Sequence, residues 1–249
     1  MTVWAVIGAL VIGVSLGLTG AGGSILTFPV LVYFAGMDPR DAVAASLFVV
    51  GITAAVGAGQ RAAMGHVHPG AAGWFALSGV IGAVVGARFT HLVSPGVLVL
   101  LFSGLMFAVG IRTWLGKSEV SNSMPDCKPA RCFLAGAGVG VLTGFLGVGG
   151  GFLLLPALTR FARLPVPVAA GTSLAIIAVN ALGGFLGHIR HAEVDWLLVI
   201  LFAAICVAAV LTSGRIAGRL DPRLVRRVFA VVVLLTAVGS SVSVFMGAL

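Results

Sequence analysis

Charge is what this chain has least of. Only 9% of its 249 residues are charged, where a soluble domain carries about 25%. So few charges cannot clothe a water-soluble surface, and a soluble globular domain is excluded. Acid is scarcer still. Asp38, Asp41, Glu119, Asp126, Glu193, Asp195 and Asp221 all fall in loops or at the ends of apolar runs. None lies where the middle of a bilayer would fall, which argues against a carboxylate proton relay or a cation pathway. Cysteine is limited to Cys127, Cys132 and Cys206. The Cys-x4-Cys pair has no further Cys or His partner nearby, so it is no zinc signature. It reads as two thiols in a loop, and Cys206 as a small buried hydrophobe. No metal and no cofactor are expected. No Lys follows the Gly clusters, as a phosphate loop requires, and no His shares the apolar run of Ser24, the one imaginable nucleophile.

What fills the chain instead is apolar. Hydrophobic residues make up 59%, with a mean hydropathy of +1.17. Apolar runs cover about 1–35, 42–60, 70–90, 96–115, 131–162, 168–188, 195–214 and 224–247. Most match the roughly 18–20 residues needed to span a bilayer. The expected fold is therefore all-α, a polytopic transmembrane helical bundle with the lipid bilayer as its solvent. The net charge of +8 comes from Lys and Arg in the short loops, where topology signals belong, and it does not argue for nucleic acid. The first residues, Met1-Thr2-Val3-Trp4, lack the positive stretch of a signal peptide. The opening run reads as mature transmembrane structure.

The chain also repeats itself. Shifted by 127 residues, Gly17–Pro29 aligns with Gly144–Pro156, identical at six of thirteen positions: four Gly pairs, Leu26/Leu153 and Pro29/Pro156. Without a gap, the same shift pairs Ser46 with Ser173, Arg88 with Arg215, Pro95 with Pro222 and Phe102 with Phe229. This divides the chain into a first transmembrane repeat (1–115), a polar linker (116–130) and a second repeat (131–249).

The first run of each repeat is too long for one crossing. Thirty-odd helical residues would span about 50 Å, against a hydrocarbon core of about 30 Å, and the glycines in its middle are poor helix interior. The expectation is a helix, a break at the glycines, and a short second helix ending near Tyr33. If the run returns to its starting side, 12 basic residues face one side of the membrane and three (Arg40, Arg88, Arg190) the other; single crossings would divide them nine to six. The positive-inside rule favours the return. The two repeats then face opposite ways, as inverted repeats opened by hairpin helices, with both termini outside and linker 116–130 cytoplasmic. That arrangement belongs to transporters.

A break inside hydrocarbon must satisfy its backbone groups, so it is tolerated only in protein or against a wet cavity. Gly20, Gly22, Gly23 and Ser24, and their counterparts Gly147, Gly149, Gly150 and Gly151, could turn N–H groups toward one anion, each aided by the N-terminus of the following helix. Ser46, Thr172, Ser173 and Asn180, the last aligned with Thr53, are uncharged candidates for further donors. Gly13 and Gly17 read as close-packing sites, Arg88 and Arg215 as snorkelling anchors, and His188 as a group placed to titrate in a vestibule.

These segments, with Ala-Ala-Ser-Leu at 44–47 and Gly-Thr-Ser-Leu at 171–174, resemble the sulfite exporter TauE/SafE family of membrane permeases across essentially the whole chain. The resemblance implies a non-enzymatic transporter of the bacterial inner membrane that moves a small sulfur-containing anion such as sulfite, thiosulfate or a sulfonate. A homo-oligomer is compatible with it. The asymmetries Ser24/Gly151 and Thr53/Asn180 make the half-sites unequal. A passive anion channel on the same scaffold is the alternative, recognisable by single-channel currents; a membrane enzyme lacks its catalytic constellation.

Overall fold

A computed structural model describes residues 3–89, 95–115, 129–146, 151–188 and 194–217, with scattered positions between 227 and 238. Among these residues all regular structure is helical: α1 (Val3–Thr19), α2 (Gly23–Tyr33), α3 (Pro39–Ala63), α4 (Pro69–Phe89), α5 (Pro95–Leu115), α6 (Pro129–Leu146), α7 (Gly151–Phe161), α8 (Val166–His188) and α9 (Trp196–Ala217). Asp41–Ala63, Pro69–Gly86, Val166–Leu186 and Trp196–Ile216 are long and apolar enough to cross a membrane. Large apolar side chains such as Leu77, Val84, Leu197 and Ile200 face outward from these helices. In lipid they need no cover, because the tails are as apolar as they are.

The opening run breaks where the glycines cluster, and its second helix ends at Tyr33. It also turns back. A Cβ on Gly23 would meet Leu16 Cβ at 3.0 Å, and one on Gly8 would meet Val30 Cγ2 at 3.2 Å. Early α2 therefore lies beside late α1, and late α2 beside early α1, which makes the pair a hairpin. Cys132, read as a loop thiol, is instead fully buried in the first turns of α6. That helix starts at Pro129, a favoured first position because its missing N–H costs nothing there.

The stretches related by the 127-residue shift are interlocked. Under the 127-residue shift α1 corresponds to α6, α2 to α7, α3 to α8 and α4 to α9. The main packing partners respect that exchange. α4 lies on α6 as α9 lies on α1, α3 packs on α8, and the α3·α9 contact has its mate in α4·α8. Single contacts match as well. A Cβ on Gly13 would strike the Cys206 carbonyl, and one on the aligned Gly140 would strike the carbonyl of Gly79, which aligns with Cys206. Gly13 and Gly17 serve close helix packing, as their spacing suggests. The first helix of the α1–α2 hairpin is thus seated on α9, and α6 on α4.

At the centre, α3 and α8 run antiparallel. Gly57 meets Leu174 at one level, Gly51 meets Leu182 further along, and Leu47 meets Gly184 beyond that. Phe48 and Phe185 close the far end with ring centroids 5.2 Å apart, joined by Trp196 at 5.7 Å from Phe48.

Candidate functional site

The first break is held by a residue outside the predicted set. The Thr19 hydroxyl donates to the Ser15 carbonyl (2.7 Å), and its oxygen accepts the N–H groups of Gly22 (3.0 Å) and Ala21 (3.3 Å). The Gly20 N–H bonds the Leu16 carbonyl at 2.8 Å. The N–H groups of Gly20, Ala21 and Gly22 are therefore already partnered in this conformation. Gly20 has φ +75°, in the left-handed region that favours glycine. Its Cα also lies so close to α8 that a Cβ there would sit 2.7 Å from Ala170 Cα and against the Ala170 carbonyl oxygen.

The first turns of α8 hold this break and the end of α3 through three consecutive residues. Gly171 leaves room for the His66 carbonyl and for Arg61, whose Cβ would lie 3.0 Å from a Cβ on Gly171. The Thr172 oxygen accepts the His68 N–H at 3.0 Å. Ser173 Oγ lies 2.8 Å from the Gly20 carbonyl and 2.9 Å from that of Ala170. Of the predicted donors, Ser173 does reach the break, across 153 residues of sequence. Thr172 is spent on the α3–α4 loop, where His68 Nδ1 accepts the Ala71 N–H and caps α4. Ser46 bonds the Val43 carbonyl of its own helix at 2.8 Å.

The second break falls partly outside the described residues, which include none of Gly147, Gly149 and Gly150. Gly151 is described, and it meets the first break. A Cβ on it would lie 2.6 Å from Ser24 Oγ, 2.8 Å from Ile177 and 3.2 Å from the Ala21 carbonyl. Gly151 opens α7 and Gly23 opens α2, so two helix N-termini come together. Gly22, the N-cap of α2, offers no side-chain bond to its first turn.

Two more groups stand nearby without partners. Thr53 Oγ1 and Asn180 Oδ1 are buried and make no hydrogen bond among the described residues, yet they occupy aligned positions in α3 and α8. Asn180 follows Ser173 and Ile177 by seven and three residues, so it shares their stripe of α8. It sits toward α4, its Nδ2 3.6 Å from where a Cβ on Gly79 would stand.

Arg61 corrects the sequence reading. Its place after the apolar run 42–60 puts it among the loop cations. In fact α3 continues through it, its side chain is only 3% exposed, and Nη2 donates to the Gly17 carbonyl at 2.7 Å. Thr19 was missed for a different reason: its aligned residue is Leu146, so repeat matching discards it. A cavity of about 440 Å³ among the described residues lies elsewhere, between α5 and the last described positions, lined by Ile111, Trp114, Leu115, Val231, Leu234 and Leu235. It offers nothing to an anion.

The model of one protein family, described as Sulfite exporter TauE/SafE, matches residues 5–240. A "Probable membrane transporter protein" of Xylella fastidiosa (strain 9a5c) is 34% identical over 238 residues, covering 91% of this chain and 90% of that protein. The "Probable membrane transporter protein YdhB" of Bacillus subtilis is 26% identical, covering 80% and 84% of the two chains. A similarly described protein of Methanocaldococcus jannaschii is 26% identical, covering 83% and 79%. No solved structure matches the chain significantly.

Proposed function

The chain belongs to the sulfite exporter TauE/SafE family of membrane transporters, and from that membership we propose that it is a secondary permease for a small sulfur-containing anion of the sulfite, thiosulfate or sulfonate class. The observation that carries the reading is the meeting of α2 and α7 at Ser24 and Gly151. Each helix N-terminus carries a partial charge of about +0.5. Two such ends brought together repel, and an oxyanion between them turns that repulsion into attraction. Gly20, Gly22, Gly23, Ser24 and Ser173 form the first half-site; Gly147, Gly149, Gly150, Gly151 and Ser46 form the second. Thr53 and Asn180, at aligned positions of the central α3–α8 pair, add unpartnered oxygens to it. Thr172 acts by holding the α3–α4 loop rather than by touching substrate. The reaction is translocation, not catalysis, and needs no cofactor.

The antiparallel run of α3 and α8 supports inverted repeats. Equivalent helices that meet on a two-fold axis run antiparallel only when that axis lies across them, in the plane of the membrane. The hairpin supports the same reading: if α1–α2 returns to its own side, α3, α4 and α5 make three crossings and the second repeat (131–249) starts on the opposite face from the first (1–115). With linker 116–130 cytoplasmic, both termini lie outside the bacterial inner membrane. Because α1 packs on α9 and α6 on α4, alternating access moves the unit α1–α2–α9 against α6–α7–α4 about the α3–α8 pair.

Radiolabelled sulfite, thiosulfate and methanesulfonate flux into proteoliposomes tests the reading. Saturable uptake of at least one, abolished in a folded Gly151→Leu variant that fills the meeting point, is the expected result. Equal flux in the variant would sink the site. Single-channel currents would replace alternating access by conduction.

A further inference from the structure

Arg61 is the feature that neither the family resemblance nor the repeat pattern singles out. It is a buried cation. A guanidinium withdrawn from water is costly unless something compensates its charge. Its one hydrogen bond among the described residues goes to the neutral Gly17 carbonyl. The described carboxylates lie far off. Asp41 is twenty helical residues back along α3, about 30 Å at 1.5 Å per residue. Asp38 precedes that helix. Asp195 lies at the start of α9, whereas Gly17 meets that helix at Val210 and Ser213, about 22 Å further along. The elements packed around Arg61 present Gly17, Thr19, Ser213, Gly171 and Thr172, none of them charged; among the described residues, the titratable or charged side chains next to these are His66 and His68, in the loop that follows α3, and the exposed Arg215, two residues beyond Ser213 on α9.

The place of this charge matters as much as its isolation. Gly17 is three residues before Gly20, so the guanidinium stands within one turn of the break, on the side where Ser173 holds the Gly20 carbonyl. Gly171 keeps the approach open, since a Cβ there would crowd Arg61 Cβ. A guanidinium offers five N–H donors in a planar fork suited to an oxyanion, and one is in use here. Building on the permease reading above, we infer that Arg61 supplies the counter-charge for the transported oxyanion: it rests on the Gly17 carbonyl when the site is empty and shares its remaining donors with the anion when the site is filled.

The competing role is a structural one, since a cation on the last carbonyls of α1 also stabilises that helix end. Substitution separates the two. Arg61→Gln keeps an N–H donor for Gly17 but loses the charge, whereas Arg61→Lys keeps the charge. In proteoliposomes we expect Arg61→Lys to retain within about fivefold of wild-type flux and Arg61→Gln to lose tenfold or more, chiefly through a raised half-saturation concentration; tenfold corresponds to about 1.4 kcal/mol. Arg61→His adds a readout that capping does not move. With thiosulfate or methanesulfonate, whose charge is constant from about pH 5.5 to 8, its flux should be high at acid pH, where the imidazole carries a charge, and fall as pH rises and that charge is lost. The wild-type profile sets the baseline for His66 and His68. Anion-dependent thermal stabilisation in detergent gives a second measure that needs no flux and reports whether each variant is folded. Stabilisation present in wild type and lost in Arg61→Gln supports the assignment. Arg61→Gln matching Arg61→Lys in flux and in stabilisation overturns it and leaves the permease reading intact. Wild-type protein neither transporting nor stabilised by any of the three anions overturns both.

Discussion

Replacing Gly20 by Ala should expose how tightly the first break is tied to α8. Two costs add at that position. The φ of +75° imposes about 1–2 kcal/mol on any residue with a Cβ. The new methyl would then sit 2.7 Å from Ala170 Cα and press on its carbonyl oxygen, and backbone does not yield as a flexible side chain does. Overpacking of this kind costs typically 1–3 kcal/mol. The total is roughly 2–5 kcal/mol. Gly36 provides the control. Its φ is +71°, but nothing lies within 4 Å of its Cβ position, so Gly36→Ala carries the conformational cost alone, about 1–2 kcal/mol. Unfolding free energies of both variants, measured in mixed micelles by titration with denaturing detergent, give the packing contribution by difference. Sulfite flux should fall strongly in Gly20→Ala and stay near wild type in Gly36→Ala. If the two variants lose the same stability, Gly20 is not wedged against α8, and the account of how Ser173 and Ala170 position the break fails.

Three other outcomes follow from the same geometry. Thr19→Val strands the Ala21 and Gly22 N–H groups, at about 1–3 kcal/mol for each buried group left unpaired; an anion that can satisfy them should then stabilise the variant more than it stabilises wild type, as thermal unfolding with and without thiosulfate would show. Thr53→Val and Asn180→Leu remove Oγ1 and Oδ1, which have no hydrogen-bond partner among the described residues, so stability should hold or rise while flux falls; a fall in stability with flux intact would make these groups structural. Cys206 is fully buried with Sγ 3.3 Å from the Ala9 carbonyl, so a maleimide should label it in denatured protein and leave it untouched in the folded permease.

Much of the scaffold can be read before any coordinate is seen, because it depends on local chemistry. A Gly cluster inside an overlong apolar run marks a break, and the 127-residue shift announces a second copy; the structure places the break at residues 20–22 and ends the short helix at Tyr33. Contacts made across the fold are another matter. Arg61 follows an apolar run and so resembles every other loop cation, and only the packing of α3 on α1 turns its side chain inward. Thr172 has the composition of a substrate donor, but its acceptor work is fixed by His68, 104 residues away. Ser46 and Ser173 align perfectly, yet Ser173 crosses to Gly20 while Ser46 turns to its own helix. Repeat logic finds positions. It does not find the partner that each side chain will meet.

The central claim is that α2 and α7 bring two helix N-termini together around one anion. Selenite or selenate, bound to the purified protein as a heavier analogue of the sulfur oxyanions and located by anomalous scattering, tests it most directly. The account predicts a saturable peak between Ser24 and Gly151, within reach of Ser173 and lost in Gly151→Leu. A transport-competent protein whose only ordered anion lies away from both breaks would contradict it.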